Sequence, residues 1–179
     1  MTMVSLLLAL AIGLSGQDAP AARTAASVRS LPTFGASAAS GRQTEWTVRW
    51  IVALAPTGAL LAPRSLPEVN RFEIRARAAV VDVGVRERDP QIGADELVIV
   101  AVDAQGREVG WQHLKDPRIV RSEQPGRGGL LTGQVLHRAE TELVVRVPDG
   151  LGAVTLRIYE PLGTGAAAEL RGLGTIAIR

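Results

Sequence analysis

The sequence contains no cysteine. That excludes a disulfide framework, thiolate metal sites, a cysteine nucleophile and a lipid-bearing N-terminal cysteine. It is compatible with export, because a chain of this size can bury enough core without covalent staples. Lysine is nearly absent: Lys115 is the one lysine, and 19 of the 20 basic residues are arginine. Against 18 acidic residues the net charge is only +2, so the concentrated basic footprint of a nucleic-acid binder is missing. Aromatic side chains make up 3% of the chain, which leaves the core to Val, Leu, Ile and Ala. No apolar run is long enough to span a bilayer, no internal repeat occurs, and no stripe of helical period is present. Gly-x-Ser-x-Gly and His-Glu-x-x-His are absent. Gly126-Arg127-Gly128-Gly129 lacks the Lys-Ser/Thr and the following helix of a phosphate loop, so no cofactor is expected.

What is present begins with Val4–Leu14, an apolar run of 11 residues of the length of a signal-peptide core. Ala19-Pro20-Ala21 gives a small-x-small cleavage pattern after Ala21, and Gly13-Leu14-Ser15 gives a second, after Ser15. Residues 1–21 therefore read as a leader and the protein as periplasmic or extracellular, with no transmembrane segment left after cleavage. Residues 22–44 carry little large apolar surface and read as an Ala/Ser/Gly-rich flexible linker.

Residues 45–179 read as one folded domain. Trp46, Val48, Trp50, Val52 and Leu54 alternate with polar residues, and so do Phe72, Ile74 and Ala76 with Arg71, Glu73, Arg75 and Arg77. The apolar phase flips at Val81, Val83 and Val85, which implies a bulge near Ala79–Val81 or a switch between sheets. Leu97–Val102 is continuously apolar, and Asp103-Ala104-Gln105-Gly106 then predicts a turn with Gly106 in the left-handed region. That turn would pair Ala101 with Val109, Ile99 with Trp111 and Leu97 with His113. Glu140–Pro161 holds two more alternating runs around Pro148-Asp149-Gly150-Leu151-Gly152, to be read either as a hairpin closed by Val147 and Val154 or as a crossing between two sheets. About seven to nine short strands with Gly/Pro/Asp turns predict an all-β antiparallel sandwich, immunoglobulin-like or jelly-roll, with a small closed barrel as the competitor.

Chemistry-bearing residues are sparse. His113 and His137 are the two histidines and hence the candidates for metal ligation or proton transfer, alongside Asp116 and Glu123. Trp46 and Trp50 share a strand face, which suits either the core or a sugar-stacking platform, and their alternation with polar residues favours the core. Arg71, Arg75 and Arg77 are expected on one outward strand face. Arg118, Arg121, Arg127 and Arg138 form a second basic group suited to an anionic partner, either a protein or an acidic surface polymer.

The order of Asp116-Pro117-Arg118-Ile119-Val120-Arg121-Ser122-Glu123, a glycine-rich loop, and Val-Pro-Asp-Gly before Leu156-Arg157-Ile158-Tyr159 resembles secreted bacterial β-sandwich accessory domains, some of them attached to extracellular peptidases. The resemblance implies a non-catalytic role. The expectation is an exported binding or structural module working through loops at one end of the sandwich. The alternative is a small secreted hydrolase or metal-dependent enzyme using His113 and His137.

Overall fold

The computed structural model describes residues 19–34, 41–54, 68–81, 91–125 and 131–179. The apolar run Val4–Leu14, the phase change at Val83–Val85 and Arg127 lie outside the described residues. The chain is all-β. Among the described residues the strands are β1 (Arg23–Thr24), β2 (Arg42–Leu54), β3 (Glu68–Val81), β4 (Glu96–Val102), β5 (Glu108–Lys115), β6 (Ile119–Pro125), β7 (Leu131–His137), β8 (Glu140–Pro148), β9 (Val154–Leu162) and β10 (Glu169–Ile178), and the short helix α1 spans Ala25–Arg29. Every pair of neighbouring strands is antiparallel. Sheet A runs β1-β10-β9-β4-β5, sheet B runs β3-β2-β8, and β6 and β7 form a separate two-stranded ribbon.

The interior is the sum of the alternating faces. Val48, Trp50, Leu143, Val145 and Val147 of sheet B meet Leu97, Ile99, Leu156, Ile158, Ile176 and Ile178 of sheet A in one buried cluster. Each fully buried aliphatic side chain contributes roughly 1.5–3 kcal/mol. Trp46 and Trp50 are both in this core, which removes the sugar-platform reading. The two runs of Glu140–Pro161 do not form a hairpin. β8 pairs with β2, β9 pairs with β4 and β10, and the 3₁₀ turn Asp149–Leu151 carries the chain across the core. Gly152, at φ 65°, takes the backbone conformation that the corner requires.

Among the described residues three one-residue irregularities shift side chains from the faces that strict alternation gives them. The turn after β4 forms as expected, with Gly106 at φ 81° and its N–H donating to the Asp103 carbonyl. The ladder then skips Val109, so Ala101 pairs with Gly110, Val100 with Trp111 and Val98 with His113. Trp111 and His113 consequently face away from the sandwich interior. On β3 the partner of β2 jumps from Ala76 to Ile74, which places the bulge at Arg75 rather than near Ala79–Val81. The bulge turns Arg77 inward, its guanidinium 5.0 Å from the Trp46 ring centre, so Arg71, Arg75 and Arg77 do not share one face. On β10 the register shifts between Gly172 and Gly174.

Of the stretch expected as a linker, 22–44, residues 22–34 are instead docked together with Ala19–Ala21 of the expected leader, and residues 42–44 already belong to β2. β1 extends sheet A beside β10, the Ala25 N–H donates to the Ala168 carbonyl at 2.8 Å, and the Trp111 N–H donates to the Pro32 carbonyl at 3.0 Å. Ala25 and Val28 join Val98, Val100, Trp111, Tyr159, Ala168 and Leu170 in a second buried cluster on the outer face of sheet A. Phe34 reaches past Gly110 into the main core. A strap of this kind needs no core of its own, because the sheet presents an apolar face to receive it.

Candidate binding surface at the base of the ribbon

β5 and β8 are edge strands of sheets A and B, and both run on into the ribbon, β5 through Asp116–Arg118 into β6, β7 through Arg138–Ala139 into β8. Of the basic residues selected from the sequence, Arg118, Arg121 and Arg138 lie around this junction, but they do different things there.

Arg118 closes the end of the interior. Its side chain is 7% exposed, and its Nε and Nη2 donate to Asp116 Oδ2 at 3.1 and 2.6 Å. Nη2 also donates to Glu160 Oε2 at 2.9 Å, and the guanidinium lies 4.1 Å from the Trp50 ring centre. Burial would lower the Arg118 pKa; Asp116 and Glu160 outweigh burial and raise it. Asp116 also accepts the Arg118 backbone N–H at 2.9 Å, so the Asp-Pro-Arg turn positions its own arginine. Two carboxylates and one indole face occupy this guanidinium, which is an internal fastening rather than a free binding group.

Arg121 lies on the ribbon, exposed, and bonds to Asp95. Arg138 is also exposed, its backbone N–H donating to the Arg118 carbonyl at 2.9 Å. Among the described residues nothing pairs with the Arg138 guanidinium. Beside it Arg49, Arg75, Pro117, Glu140, Thr141 and Glu142 line an open groove of about 870 Å³. Arg49 donates to Glu140 at 2.6 Å and faces Glu73 at 3.8 Å, while Arg75 contacts Glu73 at 3.0 Å. The Arg49 hydrogen bond holds the Glu140 carboxyl below the usual carboxylate range, against the opposing effect of desolvation. Sequence reading missed Arg49 as a member of this site, because the position looks like an ordinary polar alternation in β2. Arg49, Arg75 and Arg138 stand against Glu140 and Glu142, and Glu73, in contact with both Arg49 and Arg75, brings the charges level, so Arg138 is the arginine of the three left without a carboxylate among the described residues.

The two histidines have separate surroundings. His113 Nδ1 lies 3.0 Å from Glu96 Oε2; Lys115 Nζ donates to Glu96 Oε1 at 2.8 Å, and the Gly93 N–H donates to Oε2 at 2.9 Å. Burial alone would raise the Glu96 pKa, but these three partners prevail and hold it below the usual range. His137 pairs with Ile119 on the exposed ribbon. Among the described residues no three His, Asp or Glu side chains converge as a metal-ligand set. Among them, too, no helix is long and apolar enough to cross a membrane. No protein-family model, curated protein or solved structure matches this chain.

Proposed function

We propose that this protein is an exported, non-catalytic β-sandwich module that captures an anionic surface polymer in the groove at the ribbon base. The observation that carries the reading is the Arg138 guanidinium, solvent-facing and unpaired among the described residues, set beside Arg49 and Arg75. Guanidinium groups match carboxylate and phosphate oxygens with two parallel donors, which favours such a ligand over a neutral one. A single guanidinium without a carboxylate partner among the described residues suits weak, salt-sensitive capture rather than tight binding. Export rests on the apolar run Val4–Leu14 and the small residues after it. The likeness of Asp116–Glu123 to bacterial accessory domains supports the same reading.

The test is binding of the purified protein to a polyuronate and to a polyphosphate, with and without Arg138→Glu. The expected outcome is affinity for at least one polymer at low salt, lowered about tenfold by the charge reversal, as loss of one charge-assisted contact implies. Unchanged affinity in the variant would remove the groove from the account. Binding to an acidic protein but to neither polymer would replace the polymer with a protein partner.

A further inference from the structure

We infer that the leader is cut upstream of Pro20, so that the working protein keeps the strap over 20–34 as a built part of sheet A. The inference rests on the export reading above and selects between the two small-residue junctions that the sequence offers, after Ala21 and after Ser15. Gly172 decides between them. Glycine weakens a strand interior, so its place in β10 needs a cause. Gly106, Gly152, Gly163 and Gly165 have positive φ and Gly172 does not, so a left-handed backbone supplies no reason, and the register shift that follows it does not by itself forbid a side chain. Space does. A Cβ on Gly172 would lie 1.9 Å from the Pro20 carbonyl oxygen and 2.8 Å from its carbon, which no side chain can meet. Gly110 repeats the pattern at the other end of the strap, where a Cβ would lie 3.1 Å from both the Pro32 carbonyl oxygen and the Phe34 ring. Two glycines of sheet A therefore stand where the strap's two ends press on the strands. A chain beginning at Ala22 would leave Gly172 without a neighbour to admit.

Charge points the same way. Arg23 Nη1 lies 2.5 Å from Glu108 Oε1, and Arg157 lies 3.5 Å from the same oxygen. Cleavage after Ala21 would put a charged amino group one residue from Arg23, bringing a third cation to a site with one carboxylate. Cleavage after Ser15 leaves that end as neutral backbone. Residues Ala19–Arg23 also line an open groove of about 510 Å³ with Glu108, Arg157 and Tyr159, and removal of the first three would take away part of its wall.

The experiment is intact-mass measurement and N-terminal sequencing of the full-length chain after export by a bacterial host. An N-terminus between Gly16 and Pro20 is expected. An N-terminus at Ala22 would overturn the inference while leaving export intact, whereas a retained Met1 on protein confined to the cytoplasm would overturn the export reading itself. Gly172→Ala in the exported protein supplies a second readout. It should free the strap and speed protease cleavage within residues 19–34 about tenfold; an unchanged cleavage rate would overturn the inference.

Discussion

The outer face of sheet A carries Val98, Val100, Trp111 and Tyr159 beneath the strap, while the outer face of sheet B carries Arg49, Glu73, Glu140 and the Glu45–Arg146 pair in solvent. The central strands show what separates them. β4 is buried at all its positions, Glu96 through Val102, because both of its faces are covered. β2 and β8 bury alternate residues and leave their charges to a cross-strand ladder. One sheet is the middle layer of three and the other is an outside wall. Changes on the two outer faces should therefore have very different costs, the strap face behaving as core and the ladder face as surface.

The largest effect is expected at Trp111. Trp111→Ala empties part of the second core and orphans the Leu31 carbonyl, which accepts the indole N–H at 3.1 Å. A cost of about 3–5 kcal/mol follows for loss of a buried tryptophan, near the upper end because a hydrogen bond goes with it. Denaturant unfolding measures it. A loss below about 1 kcal/mol would place the strap face among ordinary surfaces and break the comparison.

Much of this difference was legible. The unbroken run Leu97–Val102 reads as a strand buried on both sides, whereas the alternation of Glu142–Val147 reads as one wet face and one dry. What covers the second side of β4 was not legible, because Ala25, Val28 and Leu31 are too few and too small to announce a packed element. The extra residues at Arg75 and Val109 are also silent in sequence. Each bulge costs one position of register, and that one position decides whether Arg77 covers Trp46 or joins a basic stripe, and whether His113 meets Leu97 or Glu96. For the ribbon base, Asp116-Pro117-Arg118 held a local signal: an aspartate two residues before an arginine whose N–H it can accept. Glu160 and Trp50, which make Arg118 internal, come from other strands and leave no such trace.

Arg118 and Arg121 sharpen the contrast at the next level of effect. They stand three positions apart with the same side chain, one fastened between Asp116, Glu160 and Trp50, the other exposed beside Asp95. Arg118→Ala leaves a buried Asp116 carboxylate without its cation. The expected loss is about 3 kcal/mol, the low end for a broken buried pair, because Glu160 keeps Arg171 and Asp116 keeps the backbone N–H of residue 118. Arg121→Ala should cost less than about 1 kcal/mol. Equal losses in unfolding measurements would mean that burial does not separate the two.

The smallest effects concern carboxylates, one at the polar end of each outer face. Glu96, with its side chain 9% exposed, is held by Gly93, Lys115 and His113; Glu140, 56% exposed, is held chiefly by Arg49. Both carboxyls titrate below their ordinary range when folded, so the unfolded chain takes up the proton first as the pH falls. The stability each contributes is therefore full above the ordinary glutamate range and is lost as the pH drops through the folded value. Burial distinguishes them: protonating Glu96 disrupts a fastening shielded from water, whereas the Arg49–Glu140 bond is solvated and screened by salt. Unfolding measured from neutral to acidic pH should show a flatter acid limb in Glu96→Gln than in the wild type at any ionic strength. Glu140→Gln should shift the limb only at low salt. If Glu140→Gln flattens it as much as Glu96→Gln in high salt, the ladder face is shielded like the strap face, and the division between a covered and a solvated side of the sandwich fails at its polar ends.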